Sequence, residues 1–403
     1  MLLREDSNPK IVSRLRLSAK RQPGWRGPTV AVIIALAVLG QACSSTSPER
    51  PRKVARTTRD FFDESRPNWK GKGPRPLSTT IWYPAVASAR EQEWKVGGLP
   101  VLPAFRAGWA SPNATLDAAE TKLPLVLLSH GTGGAAAQLA WLAESLATRG
   151  YIAAAINHHG NTAVEEYLPQ GFILWWERAE DLRRVLDRLV EDPVLGPHID
   201  RSRIGAAGFS LGGYTVLAAA GAVVSAAALR EYCAGPQRTA TSCELPPEAG
   251  SFTLEEVLDR AEHDPLVRES MARREESYRD ERIKAVFAIA PVLGPALKPE
   301  SLAQMSVPVR IVVGEADTQA PPRESAVPIT QAIPTAKLRL IPNVAHYTFL
   351  AECTIWGRLL LRHLCSDPSE VIRQEIHRQV AEEAVAFFGR ALNVRSATAL
   401  SPR

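Results

Sequence analysis

The chain has 403 residues, 45% of them hydrophobic and 23% charged, and carries no internal repeat. That profile fits one large domain with a buried core and excludes a solenoid or a low-complexity protein. The net charge of +5 is local: seven of the 48 basic and two of the 43 acidic residues lie in 1–42, leaving 41 of each, so the remainder is formally neutral and offers no nucleic-acid surface.

Residues 1–42 read as an export signal. A basic stretch ends at Arg26, and the apolar run Val30 to Leu39 follows, too short to span a bilayer comfortably but suited to a signal core. Gly40-Gln41-Ala42-Cys43 and a Ser/Thr-rich stretch come next. A Cys at this point resembles a lipoprotein signal, with Cys43 as the lipidated residue and the N-terminal anchor as the only membrane contact. The usual Leu three residues before the Cys is replaced by Gly40, so ordinary cleavage and an uncleaved anchor stay open, as does a start downstream of Met1. The expected location is the periplasm or cell surface.

Residues 43–76, rich in Pro, Arg and Ser, read as a tether, and the main domain is expected over 77–395. Thr79 to Pro84 predicts a strand ended by proline, and 85–122 shows no clean period and reads as loop. Leu123 to Leu128 and Tyr151 to Ile156 are unbroken apolar runs, the mark of strands buried on both faces. Between them Ala135 to Arg149 has helical spacing and stops at Gly150. Phe172 to Val190 predicts a helix, Arg203 to Phe209 a strand and Leu211 to Leu229 an Ala-rich helix. Ile283 to Ala290, Val307 to Val313 and Lys337 to Ile341 predict three more strands, and Val371 to Leu392 a terminal helix. Apolar strands alternating with helices imply an α/β fold with a mostly parallel sheet covered on both faces. The stretch from about 230 to 282 breaks the rhythm with prolines and a charged helical segment, and reads as a cap over the carboxyl edge of the sheet rather than a surface excursion.

Of five cysteines, Cys43 aside, four fall into two close pairs: Cys233 with Cys243 and Cys353 with Cys365. Two local disulfides suit an oxidising compartment; buried free thiols are the alternative. No pair has zinc-site CxxC spacing, and no metal is expected.

The chemistry centres on Gly208-Phe209-Ser210-Leu211-Gly212-Gly213, a G-x-S-x-G that ends a strand and opens a helix. In that context the serine sits on a tight turn that exposes its hydroxyl, and the glycines permit close backbone approach. Ser210 is the candidate nucleophile. The Leu211 N–H is one oxyanion donor; Ser129-His130-Gly131-Thr132-Gly133-Gly134, after an earlier strand, supplies Thr132 as the other. A phosphate loop would need a G-K-[ST] ending that this segment lacks. His130 and Gly131 support that loop. His158 and His159 are adjacent, point in different directions and make a poor metal pair. Of the eight histidines only His346, after the last strand, meets the chain order serine, acid, base on a suitable loop. The acid falls in Gly314-Glu315-Ala316-Asp317, with Asp317 preferred and Glu315 as alternative.

The segments HGTGG, GFSLGG, GEADTQAPP and the late VAH resemble the bacterial proteins called predicted dienelactone hydrolases, which in turn are similar to the platelet-activating-factor acetylhydrolase group. The resemblance spans roughly residues 75–390. It implies an eight-stranded α/β-hydrolase sheet, a Ser210–Asp317–His346 triad without cofactor, and esters with short or modest acyl groups, including acetyl or oxidised acyl groups of phospholipids. Dienelactone hydrolases proper use a cysteine nucleophile; Ser210 favours a carboxylesterase or phospholipid-acetyl hydrolase. An acyltransferase on the same triad and a non-catalytic lipid-binding envelope protein are the readings from other classes.

Overall fold

The structure is a computed structural model that describes residues 52–393, apart from positions 100, 120, 237, 240–242, 247–248 and 250–251. The signal segment and Cys43 lie outside the described residues. No helix among the described residues is long and apolar enough to cross a membrane.

The strands are β1 (Lys53–Pro67), β2 (Pro74–Ala85), β3 (Gln92–Leu99), β4 (Leu102–Pro112), β5 (Leu123–Ser129), β6 (Ile152–Ile156), β7 (Ile199–Phe209), β8 (Ile283–Ile289), β9 (Val309–Gly314), β10 (Ala336–Ile341) and β11 (Glu352–Cys353). They form one sheet in the order β10-β9-β8-β7-β5-β6-β2-β1-β4-β11, with β3 on β4. From β6 to β10 all neighbours are parallel, while β2 runs antiparallel to both β6 and β1. Eight of these strands, β1, β2, β6, β5, β7, β8, β9 and β10, make the α/β-hydrolase sheet; β3, β4 and β11 extend its β1 edge.

Two parts of the sequence reading are corrected here. The tether expected over 43–76 is strand from Lys53 onward, since β1 pairs with β2 residue for residue from Lys53↔Ala85 to Asp63↔Arg75. The loop expected over 85–122 contains the β3–β4 hairpin, turned at Leu99↔Leu102. The parallel strands are where the apolar runs place them. Every residue of β5 and β6 is buried, and since alternate side chains face opposite ways, both faces of the sheet are covered.

The covering helices are α1 (Ala140–Ala147), α2 (Pro169–Ile173), α3 (Glu177–Glu191), α4 (Leu211–Ala219), α5 (Ala226–Ala234), α6 (Leu254–His263), α7 (Pro265–Ala272), α8 (Pro299–Ala303), α9 (Ala326–Ala332), α10 (Ile355–Leu360), α11 (Arg362–Cys365) and α12 (Arg373–Ala391). Two predicted helices are each broken into two. The first breaks between α2 and α3, where Leu174 leaves helical geometry and buries beside Trp176. The second breaks after α4 at Gly221, whose φ is +122°.

The insertion before β8 carries α5, α6 and α7. A capping box opens α6: Thr253 Oγ1 accepts from Glu256 N, and the Glu256 carboxylate accepts from Thr253 N. Asp264 caps α7 through Leu266 N, 2.9 Å, with Pro265 in its first turn. Trp176 Nε1 donates to Ser270 Oγ, 2.9 Å, and Ser270 Oγ to Glu177 Oε1, 2.6 Å, so α7 is fastened to the start of α3. The insertion also meets the loop after β9: Tyr232 Oη and Thr239 Oγ1 both donate to Glu324 Oε2. The expected cysteine pairs are both joined, Cys233–Cys243 within the insertion and Cys353–Cys365 across α10 and α11.

Candidate active site

The loops at the carboxyl ends of β5, β6, β7, β9 and β10 bring the sequence candidates together. The apolar strand β7 runs straight into Ser210, whose φ of +56° and ψ of −118° turn the chain sharply into α4. A non-glycine residue in that region is strained, and the surroundings impose it. Ser210 N donates to Ile289 O at 2.9 Å, tying the turn to the end of β8. The flanking glycines are required by space. A Cβ on Gly208 would lie 2.1 Å from Gly212 O, and one on Gly212 would lie 1.9 Å from Ser129 O. The first turn of α4 thus rests directly on the end of β5.

Ser210 Oγ is 3.0 Å from His346 Nε2, and His346 Nδ1 is 2.7 Å from Asp317 Oδ2. All three are buried. His346 opens a 3₁₀ turn after β10, with its ring against Phe209 and Tyr347. The Asp317 carboxylate accepts the Gln319 and Ala320 N–H groups on its other oxygen at 2.9 and 2.7 Å. One oxygen is therefore fixed by backbone and the second is aimed at the imidazole, which keeps Nδ1 protonated and leaves Nε2 to face the serine. Glu315 is exposed and stands outside this chain of hydrogen bonds.

The loop 129–134 lies against the serine: a Cβ on Gly131 would be 3.3 Å from Ser210 Cβ. Gly133 N donates to Asn161 Oδ1, 2.8 Å, and Gly134 N to Gly131 O, 3.2 Å. The Thr132 N–H has no acceptor among the described residues, and Leu211, first residue of α4, has none to expect within its helix. These are the two N–H groups the sequence reading singles out. His130 is buried; Nδ1 donates to Gly131 O, 2.7 Å, and Nε2 accepts from His158 N, 3.2 Å. Burial, with Arg178 nearby, holds its pKa well below the ordinary imidazole value. His130 is thus a neutral prop of the loop.

Beneath the loop is a buried ionic layer that sequence reasoning missed. Arg178 and Asp181 sit on the inner face of α3 beside Ala179, Leu182 and Val185. Arg178 Nη2 donates to His130 O and to Ser129 Oγ, 3.2 Å, and Nη1 to Asn161 Oδ1, 3.4 Å. Asp181 receives Arg66, Arg75 and His158 at 2.7, 2.7 and 3.0 Å. Burial pushes Asp181 up, but Arg75, Arg66 and His158 outweigh it and hold the carboxyl well below its usual range. Burial, reinforced by Arg178, takes His158 down to about 3, so it is neutral, with Nδ1–H on Asp181 and Nε2 accepting from Ser129 Oγ, 2.9 Å. Ser129 after LPLVLL and Asn157-His158-His159-Gly160-Asn161 after IAAAI were the available signal: polar residues at the carboxyl ends of apolar strands.

A family model described as platelet-activating factor acetylhydrolase, isoform II, matches residues 104–172, which include the 129–134 loop. No curated protein matches the chain. A solved structure of a ferulic acid esterase from Streptomyces cinnamoneus is similar with a TM-score of 0.58 and 21% identity, over 89% of this chain and 96% of that one. The chain has the α/β-hydrolase fold.

Proposed function

We propose that the protein is a serine-dependent hydrolase of carboxylic esters with short or modest acyl groups. One observation carries the reading: an unbroken hydrogen-bond chain, Ser210 Oγ to His346 Nε2 to Asp317, set on a strained strand-to-helix turn beside two backbone N–H groups. The partial match to the acetylhydrolase model and the likeness to an esterase structure support the same class.

In the reaction His346 Nε2 takes the Ser210 hydroxyl proton as Oγ attacks the ester carbonyl. The Thr132 and Leu211 N–H groups hold the oxyanion, and Asp317 stabilises the imidazolium. Collapse breaks the ester C–O bond, and the alcohol leaves with the proton from His346. Water, deprotonated by His346, attacks the acyl-Ser210 ester, and collapse releases the acid and restores the serine. The insertion acts as a lid: Phe252 packs on Phe172, Phe172 on Tyr167, and Tyr167 Oη donates to Gly133 O at 2.6 Å. Acetyl or oxidised acyl groups of phospholipids are the substrate class suggested by the acetylhydrolase resemblance. The two disulfides favour an exported protein.

The test is hydrolysis of p-nitrophenyl esters from acetate upward by the chain beginning at Ser44, beside Ser210→Ala. Activity on short esters that vanishes in the variant is expected. Equal rates in both would overturn the proposal.

A further inference from the structure

Among the buried ionic groups, Arg178 stands apart. Arg66 and Arg75 direct their hydrogen bonds mainly to carboxylates: Arg66 to Asp63, Glu177 and Asp181, with one more to the Glu177 carbonyl, and Arg75 to Asp181. The Arg178 hydrogen bonds all go to neutral oxygens, those of Ser129, His130 and Asn161. Burial pushes its guanidinium down to about 9, with Asp181 offsetting part of that. A cation this deep is costly unless its hydrogen bonds are well used. Asp181 is already met by two other arginines, so neutralising it does not require Arg178.

Two of the three acceptors bear on the backbone around Thr132. On one side the His130 carbonyl takes Arg178 Nη2. On the other, Gly133 N–H is held by Asn161 Oδ1, the same oxygen that takes Arg178 Nη1. Gly131 and Thr132 lie between these two anchors, and the single peptide plane that joins them carries the Thr132 N–H. A peptide plane clamped before and after has little freedom to rotate. We infer that Arg178 is a positioning residue of the oxyanion loop, aiming the Thr132 N–H at the developing charge by clamping His130 O and, through Asn161, Gly133 N. The inference rests on the reading of Ser210 as nucleophile.

The clamp is fastened below. Donors and acceptors run in one direction, from Arg178 to Ser129 Oγ, from the Ser129 hydroxyl to His158 Nε2, and from His158 Nδ1–H to Asp181. Arg66 links Asp181 to Glu177, and Glu177 takes Ser270 and Arg273 of the insertion. The loop that holds the oxyanion and the lid that covers the site are thus two ends of one hydrogen-bonded run.

The experiment compares the full chain with Arg178→Met, Arg178→Lys and Asn161→Ala. Hydrogen exchange of the peptide spanning 129–134 reads the clamp without reference to activity. Rates on p-nitrophenyl acetate, and affinity for a trifluoromethyl ketone whose serine adduct carries an oxyanion, read its purpose. Arg178→Met is expected to lower kcat by about 10²-fold, the size of losing one oxyanion donor, with KM within about threefold. Ketone affinity should fall by the same factor and exchange at 129–134 should rise. Asn161→Ala should show the same pattern at about 10-fold, and Arg178→Lys should recover part of the loss by keeping a donor to His130 O. A folded Arg178→Met or Asn161→Ala with wild-type kcat and ketone affinity overturns the inference, as does a loss confined to KM. If Arg178→Met does not fold, Asn161→Ala decides alone. Faster exchange in the variants together with activity that survives Ser210→Ala would leave the clamp standing and remove both the esterase reading and the role built on it.

Discussion

Gly212→Ala puts the proposed site under the sharpest test. The added methyl would stand 1.9 Å from Ser129 O, 2.5 Å from Ser129 C and 2.7 Å from His130 O, all backbone atoms. Ordinary contact begins near 3.4 Å, so α4 and the end of β5 must part by up to about 1.5 Å. Neither side yields easily: β5 is the central strand, and the His130 carbonyl is held by Arg178. If α4 moves, it carries the Leu211 N–H; if the loop moves, it carries that of Thr132. Either way the two oxyanion donors separate. Misplacement by about 1 Å costs on the order of 10²-fold in rate, and overpacking of this kind costs about 1–3 kcal/mol in stability. The assay is kcat/KM on p-nitrophenyl acetate and the rate of fluorophosphonate labelling, with a thermal melt to show that the variant folds. A folded Gly212→Ala within threefold of wild type would refute the assignment of this contact to the catalytic geometry.

Three further outcomes follow from the same geometry. Asp317→Asn keeps the volume of the side chain but removes the carboxylate facing His346 Nδ1, and should lower kcat by about 10³–10⁴-fold while the melting point changes little; a loss under tenfold would move the acid role elsewhere. Buried His158 and His377 stay neutral down to about pH 3 in the folded chain, whereas exposed imidazoles protonate near 6.5. The unfolded state therefore binds more protons between these values, and unfolding free energy should fall as pH drops below 6.5, by up to about 1.4 kcal/mol per pH unit for each histidine. Urea unfolding between pH 7 and 4.5 reads this directly, and a flat profile contradicts it. Each disulfide closes a short loop, 10 residues in one case and 12 in the other. Reduction should cost about 3 kcal/mol per bridge in the chain-entropy picture, visible as a lower melting point in dithiothreitol and absent from a variant with all four cysteines replaced.

The parts of the fold legible in the sequence are those whose chemistry is uniform along the segment. Strands such as LPLVLL and IAAAI are buried on both faces, so nothing polar interrupts them. β1 is different. Its residues KVARTTRDFFDESRP alternate between buried and exposed, and its charges are satisfied far away, Arg59 by Asp192 and Arg66 by Asp181. Read locally, the same letters look like a polar tether. The β3–β4 hairpin was hidden for a related reason: β3 is mostly exposed, so it carries no apolar period. The candidate triad was legible because its spacing follows chain order and each member comes just after a strand that the sequence predicts. Arg178 and Asp181 were not, because a charged i,i+3 pair on a helix reads as a solvated face. Contacts with residues distant in the chain, such as Arg66, 115 residues from Asp181, show it to be the inside.

The left-handed residues at this edge of the sheet carry a consequence for how the protein evolves. Ser210, Ala290 and Leu293 have φ of +56°, +44° and +63°, at the ends of β7 and β8, and the Ser210 N–H to Ile289 O bond joins the two turns. Each is an L-residue in a region that costs about 1–2 kcal/mol and that glycine enters freely. Selection for durability alone would drift these positions toward glycine, and at 210 the sturdier protein would have lost its hydroxyl. In the proposed mechanism endurance and turnover are set against each other at the Ser210 backbone angle, so stabilising this fold without silencing it has to proceed at other positions.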